Sequence, residues 1–270
     1  MIQSVDRAVR ILAALQGARR MSLSELAARL ELPASTVHGI VRTLVSHGMV
    51  AQDRGSGRYQ LGPAVLRLGN VYLDTLELRS RAVTWSEELA RRTGFAVRTG
   101  VLLADDVVVV HHEPRPDGSR QMPEVGIVIP SHASALGKAL LAFLPDEAER
   151  LLDTVALRSM TGETVTDPVA LRKQLDEVRA SGVAFECDEA VLGESSAAAT
   201  VFDTKGLAVG GVAVVVPTNE WPLADAVVDA VRSTTRTMSR ELGRESVASS
   251  ERRLLRGQTL EAPRARQPRP

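Results

Sequence analysis

Residues 32–50, LPASTVHGIVRTLVSHGMV, constrain the fold more than any other stretch of the chain. Val37, Ile40, Val41, Leu44 and Val45 recur at steps of three and four, which places them on one stripe of a helix that must be buried. At 100° per residue the opposite face carries Ser35, Gly39, Arg42 and Ser46, flanked by Thr36 and Thr43. A face of short hydrogen-bonding groups, one guanidinium and one missing side chain can lie close against something polar.

The neighbouring sequence supplies partners for the buried stripe. A helix that starts at a Ser4 cap and runs to about Gln16 turns Val5, Ala8, Val9, Leu12 and Leu15 inward. A second follows in MSLSELAARLEL, where Ser22 or Ser24 caps and Leu23, Leu26, Ala27 and Leu30 face the core. Pro33 suits the first turn of the third helix, where a missing N–H costs nothing. Then GMVAQDRGSGRYQLG alternates on either side of Gly55-Ser56-Gly57, the pattern of a hairpin with Arg54 and Arg58 close to its tip.

Three helices and a two-stranded wing over residues 1–61 make a winged helix-turn-helix, whose third helix enters the major groove of double-stranded DNA. The expected contacts are Ser35, Thr36, His38, Gly39, Arg42 and Thr43 on that helix, with Arg54 and Arg58 on the wing. Arg42 can pair bidentately with guanine, while Ser35 and Thr36 suit phosphates or a base edge. Gly39 costs the helix about 1 kcal/mol relative to alanine, which makes sense where backbone must approach a duplex. The plainer alternative is that Ser35 and Thr36 only cap the helix and Arg42 is a solvated surface charge.

Charge is distributed in the same sense. The 270-residue chain has equal numbers of acids and bases, yet residues 1–61 hold eight arginines and no lysine against four acids. Residues 245–270 hold six arginines against three acids, so the segment between them is acidic. A basic head on an acidic body suits a chain in which one domain meets a polyanion and the other does not.

The length supports two domains. Residues 62–80 form a connecting segment in which Val65, Leu66, Gly69, Tyr72, Leu73 and Leu76 follow near-heptad spacing from 63 to 78. That helix either pairs with its copy in a dimer or packs as an ordinary domain helix. From 81 to 244 the pattern alternates: helices at 81–93, 133–144, 146–153, 167–181 and 223–243, with strands at 96–103, 107–112, 183–188, 197–202 and 207–216. Strands in two groups with interleaved helices predict an α+β sheet domain. The Arg-, Pro- and Ser-rich segment 245–270 reads as a disordered basic tail.

Other classes find little support. The chain has no G-x-S-x-G elbow, H-E-x-x-H helix, P-loop or strand-borne G-x-G-x-x-G, so no catalytic residue and no cofactor are expected. His111, His112, His132 and the lone Cys187 are the candidate metal ligands, but adjacent histidines on a strand point to opposite faces, and no metal is expected. One cysteine suits a reducing compartment. The opening residues carry charges where a signal peptide would be apolar, and the run GLAVGGVAVVV at 206–216 is too short for a membrane span, so a cytoplasmic protein is expected.

QSVDRAVRIL at 3–12, LSELAARLELPASTVHGIVRTLVSHGMV at 23–50, GRYQLG at 57–62, PSHASALGKALLAFL at 130–144 and TVFD at 200–203 together resemble the IclR family of bacterial transcription regulators. The resemblance covers nearly the whole chain except the tail. Within the family, GRYQLGPAVLRLG, YLDTLELRSRAVTW and VVVHHEPRPDGSRQ look most like the glycerol operon regulators of actinomycetes. The resemblance implies an N-terminal winged helix-turn-helix, a linker helix and a C-terminal GAF-like α/β domain that binds a small metabolite, assembled as dimers or dimers of dimers on an inverted repeat. Members usually repress a catabolic operon and sometimes activate one; a DNA-binding protein of this fold without small-molecule control is the rival reading. Many members have Arg in the recognition helix where this chain has Gly39, so their operator sequences do not transfer.

The family's effector pocket carries over by position to Ala135 and Leu136 at a helix start, Glu186 after a strand, Ser196 in place of a frequent Cys, and Ala213 and Val215 in place of two frequent hydroxyls. Losing those hydroxyls favours a larger or partly apolar ligand. Glycerol 3-phosphate is the first candidate that the glycerol-regulator resemblance implies, with its phosphate near the helix start at 135–138 and Lys138, although a surface charge or one set back from the ligand is the plainer reading of Lys138.

Overall fold

The computed structural model describes residues 2–119, 121–154 and 156–258, with Thr154 and residues 244–258 described by backbone alone. The chain divides into two compact units, Met1–Thr75 and Leu76–Pro270.

The first unit runs α1 (Gln3–Ala18), α2 (Leu23–Leu30), α3 (Ala34–Ser46), β1 (Val50–Gln52), β2 (Tyr59–Leu61) and α4 (Pro63–Thr75). Ser22 and Glu25 form a reciprocal capping box that starts α2, Glu25 N donating to Ser22 Oγ at 3.2 Å and Ser22 N to Glu25 Oε2 at 2.7 Å. Ile11, Leu15, Leu26, Leu30, Val37, Val41 and Val50 make the core. β1 and β2 pair antiparallel, Val50 opposite Leu61, and Met21 bridges to Tyr59, tying the wing to the entrance of α2. This is the expected winged helix-turn-helix.

Several details differ from the sequence-based expectation. α1 begins after an extended Ile2 with no side-chain cap, so Ser4 lies inside the helix. Its buried residues are Ile11, Ala14 and Leu15, all in the C-terminal half; Val5 and Val9, expected inward, are 57% and 59% exposed. In α3 the stripe is narrower than expected, with Val37 and Val41 buried, Ile40 and Leu44 half-buried and Val45 exposed. The connecting helix over 63–78 is two helices: α4 stops at Thr75, Leu76 is extended and opens the second unit, and α5 (Glu77–Thr93) follows, so the segment 62–80 is divided between Thr75 and Leu76.

The second unit continues with β3 (Ala96–Leu103), β4 (Asp106–Glu113), β5 (Val128–Pro130), a 3₁₀ turn (Ser131–Ala133), α6 (Ala135–Leu141), α7 (Pro145–Thr154), α8 (Pro168–Ser181), β6 (Ala184–Cys187), β7 (Glu194–Phe202), β8 (Ala208–Pro217) and α9 (Asp225–Gln258). Six strands form one antiparallel sheet in the order β5-β4-β3-β8-β7-β6. Period-two alternation sorts the sheet's side chains between two helical layers. Ala197, Ala199, Val201, Val212 and Val214 pack with α5 and α9, while Ala184, Ala198 and Ala213 pack with α6, α7 and α8.

Helix α6 lies hard against the 3₁₀ turn: a Cβ on Gly137 would sit 2.1 Å from the Ser131 carbonyl oxygen, so only glycine fits. Helix α9 runs beyond the expected end at 243, so residues 245–258 of the expected tail lie on it, and residues 259–270 fall outside the described residues.

Candidate functional site

In the first unit the polar face of α3 is open. Ser35, His38, Gly39, Arg42 and Thr43 are exposed and Thr36 is half-buried, so the six expected contacts lie along one helix. Neither Ser35 nor Thr36 caps α3; Pro33 occupies the cap with no side-chain hydrogen bond. Thr43 Oγ1 donates to the Gly39 carbonyl at 3.2 Å, turning its hydroxyl back onto the helix. A Cβ on Gly39 would meet nothing within 4 Å, so neighbouring atoms do not require glycine there. No hydrogen bond or ion pair holds Arg42 among the described residues.

The wing behaves differently. Asp53 organises its turn, accepting from Ser56 Oγ and Gly55 N, which holds the Asp53 carboxyl below its usual range. Arg54 lies exposed in that turn. Arg58, expected as a DNA contact close to the tip, donates to both oxygens of Glu25 at 2.7 and 2.5 Å. The capping-box carboxylate is thereby shared between a helix N-terminus and the wing.

In the second unit a cavity of about 200 Å³ opens between the sheet and the start of α6. Glu186, Ser196 and Val215 stand in one cross-strand row, paired β6 to β7 to β8, and Ala213 pairs with Arg98 on β3. All four residues expected on these strands, Glu186, Ser196, Ala213 and Val215, line the cavity, together with Leu136 from α6. Ala135, the remaining expected pocket residue, is fully buried and does not line it. Ser134, one residue earlier, does line the cavity and caps α6 by accepting from Gly137 N at 3.1 Å.

Glu186 is 4% exposed and accepts from Ser196 Oγ at 3.0 Å and from Glu189 N at 3.1 Å. Burial pushes its carboxyl up to about 7, against the lowering effect of those two hydrogen bonds, and the nearby Glu189 and Glu194 push in the same direction as burial. Lys138, for which a place beside a ligand phosphate or a charge set back from the ligand was expected, is 1% exposed and does not line the cavity; its Nζ sits 2.5 Å from Glu189 Oε1. Desolvation holds its pKa below the ordinary lysine value despite that partner.

Sequence reasoning missed Arg98 and Glu194. Arg98 lies on β3 and donates to both oxygens of Glu194, at 2.5 and 2.9 Å, and to Glu124, at 3.0 Å from Nη2 and by a second bond from Nε. Burial opposes its charge, but the two carboxylates more than offset that and raise its pKa. Its partners lie 26 and 96 residues away, so no local pattern could have revealed them. An apolar wall from Ile127 to Pro130, around the short strand β5, and Met160, Ala190 and Val191 complete the lining.

Of the other candidates, His132 Nε2 bonds the Arg158 carbonyl at 2.9 Å, and His112 lies 3.7 Å from Glu124. Among the described residues no group of three or more His, Cys, Asp or Glu is placed to hold a metal ion, and no helix is long and apolar enough to cross a membrane.

A winged helix-turn-helix with an open polar recognition face, on a chain whose second unit encloses a polar-floored cavity, defines a DNA-binding transcription regulator. Comparison with known proteins agrees. Residues 4–54 match the IclR helix-turn-helix domain, and residues 70–240 match the bacterial transcriptional regulator IclR C-terminal domain. The chain belongs to the IclR family of transcriptional regulators. It is 44% identical over 247 residues to the glycerol operon regulatory protein of Streptomyces griseus, spanning 90% of this chain and 97% of that protein. The protein of the same name from Streptomyces coelicolor is 43% identical over the same extent. A crystal structure of an IclR regulator from Alicyclobacillus acidocaldarius superposes with a TM-score of 0.75 at 26% identity, covering 90% of this chain and all of that one.

Proposed function

We propose that this regulator is an effector-responsive repressor of a catabolic operon, in the first instance a glycerol operon, acting in the cytoplasm. The identity of 44% to glycerol operon regulatory proteins over nearly full length is the observation that carries the pathway. The protein binds an inverted repeat as a dimer or dimer of dimers, placing two copies of α3 into major grooves about 34 Å apart. Ser35, Thr36, His38, Gly39, Arg42 and Thr43 face the DNA, with Arg54 at the wing, while Arg58 braces the wing against α2.

A glycerol metabolite occupies the cavity above Glu186 and Ser196. Glycerol and glycerol 3-phosphate are the two candidates that a glycerol operon suggests. Binding there changes the spacing of the two recognition helices and with it the affinity for the operator. The chain acts by binding and does no chemistry of its own.

The test is selection of fragments of the host genome by the purified protein at physiological salt, followed by sequencing of what is retained. A shared inverted repeat beside genes for glycerol uptake and phosphorylation is the expected result. Enrichment beside a different operon would overturn the pathway while keeping the family.

A further inference from the structure

We propose that the cavity takes an uncharged, hydroxylated effector with an apolar substituent and turns phosphate monoesters away. This rests on the effector-sensing reading above and names the chemistry of its ligand.

Charge decides the ligand class. Among the described residues lining the cavity Arg98 is the one cation, and it is already held by two carboxylates, Glu194 from β7 and Glu124 from the segment ahead of β5. Glu186 adds a third carboxyl on the floor. The nearby cation Lys138 does not line the cavity and is committed to Glu189. A phosphate entering this space would leave its water shell to meet carboxylates, with neither a guanidinium nor an ammonium free in the lining to receive it.

The same lining suits a neutral polyol. Ser196 Oγ and the Glu186 carboxyl stand 3.0 Å apart on adjacent strands, a donor and acceptor pair that adjoining hydroxyls can engage. Near neutral pH a large share of Glu186 keeps its proton, so this floor is weakly charged. Elsewhere in the lining, Ile129, Leu136 and Val215 have side chains of carbon alone. Met160 and Val191, also in the lining, are 41% and 57% exposed, apolar surface that a ligand's alkyl portion would cover.

The experiment titrates the full-length protein by calorimetry with glycerol, 1-O-butylglycerol and glycerol 3-phosphate at pH 7. The expected result is that 1-O-butylglycerol binds at least tenfold more tightly than glycerol 3-phosphate. The double variant Glu124→Gln/Glu194→Gln, which frees Arg98, should gain at least tenfold in affinity for glycerol 3-phosphate, a gain that misfolding cannot imitate. If glycerol 3-phosphate binds the unaltered protein more tightly than either uncharged probe, the ligand class is overturned and effector sensing stands. If the double variant still ignores glycerol 3-phosphate, the role given to the Arg98 pairs is wrong. If no probe binds either protein, both the ligand class and the sensing of glycerol metabolites fall.

Discussion

Arg42 stands exposed on α3 with no hydrogen bond or ion pair among the described residues, and the proposed base recognition rests on it. Arg42→Ala should cost about 1–3 kcal/mol of operator binding and relax preference at one base pair, whereas uniform loss on all sequences would put Arg42 on phosphate. Glu186 makes a different prediction. Its carboxyl titrates near 7 in the folded chain and near 4.5 when unfolded, so between those values folding takes up a proton. Its contribution to stability is therefore fully present below about pH 4.5 and is lost as pH rises through 7. Urea unfolding at pH 5.5 and pH 8 should show the native chain losing on the order of 1–3 kcal/mol more than Glu186→Gln across that interval. Equal losses would mean that Glu186 is ordinarily ionised. Glu186, Leu136, Ser196, Ala213 and Val215 were legible only through the family resemblance, which carried them over by position, and all five line the cavity. Arg98, Glu194 and the Arg58–Glu25 pair were illegible, since each depends on a partner 33 or more residues away or on a loop.

Helices and strands were legible wherever a period ran unbroken over several residues. All but one of the sheet strands of the second unit, and all its α-helices, fall in segments that the sequence pattern predicts, β7 and β8 as continuous buried runs rather than by alternation. β5 was missed because three residues carry no period, although this strand supplies one wall of the cavity. The break at Leu76 was hidden because apolar spacing continues across it. Helix α1 was misjudged in its first turns because apolar residues there signal burial without saying against what. Helix α4 raises that question again: none of its residues is buried, and Leu66, Leu68, Val71 and Tyr72 are half or more exposed. A second copy of the chain is the partner that near-heptad spacing favours. Leu66→Glu combined with Tyr72→Glu should shift sedimentation toward the monomer and lower affinity for an inverted repeat at least tenfold. An unchanged assembly would move the dimer contact elsewhere.

At the scale of the whole molecule, the division of labour is written in the distribution of charge. The arginine-rich, lysine-free head is the winged helix-turn-helix, and the acidic middle of the chain contains the sheet and its carboxylate-lined cavity. The strand order has no such signature, because β3 pairs with β8 across more than a hundred residues and nothing local to either strand names the other. If the two units work together as proposed, occupancy of the cavity controls the recognition helix. Fluorescence anisotropy reads that coupling: the recovered inverted repeat is titrated with the full-length protein, with and without saturating 1-O-butylglycerol. Operator affinity should change at least tenfold, a coupling of about 1.4 kcal/mol. Unchanged affinity with the ligand demonstrably bound would mean that the cavity and the recognition helix are uncoupled.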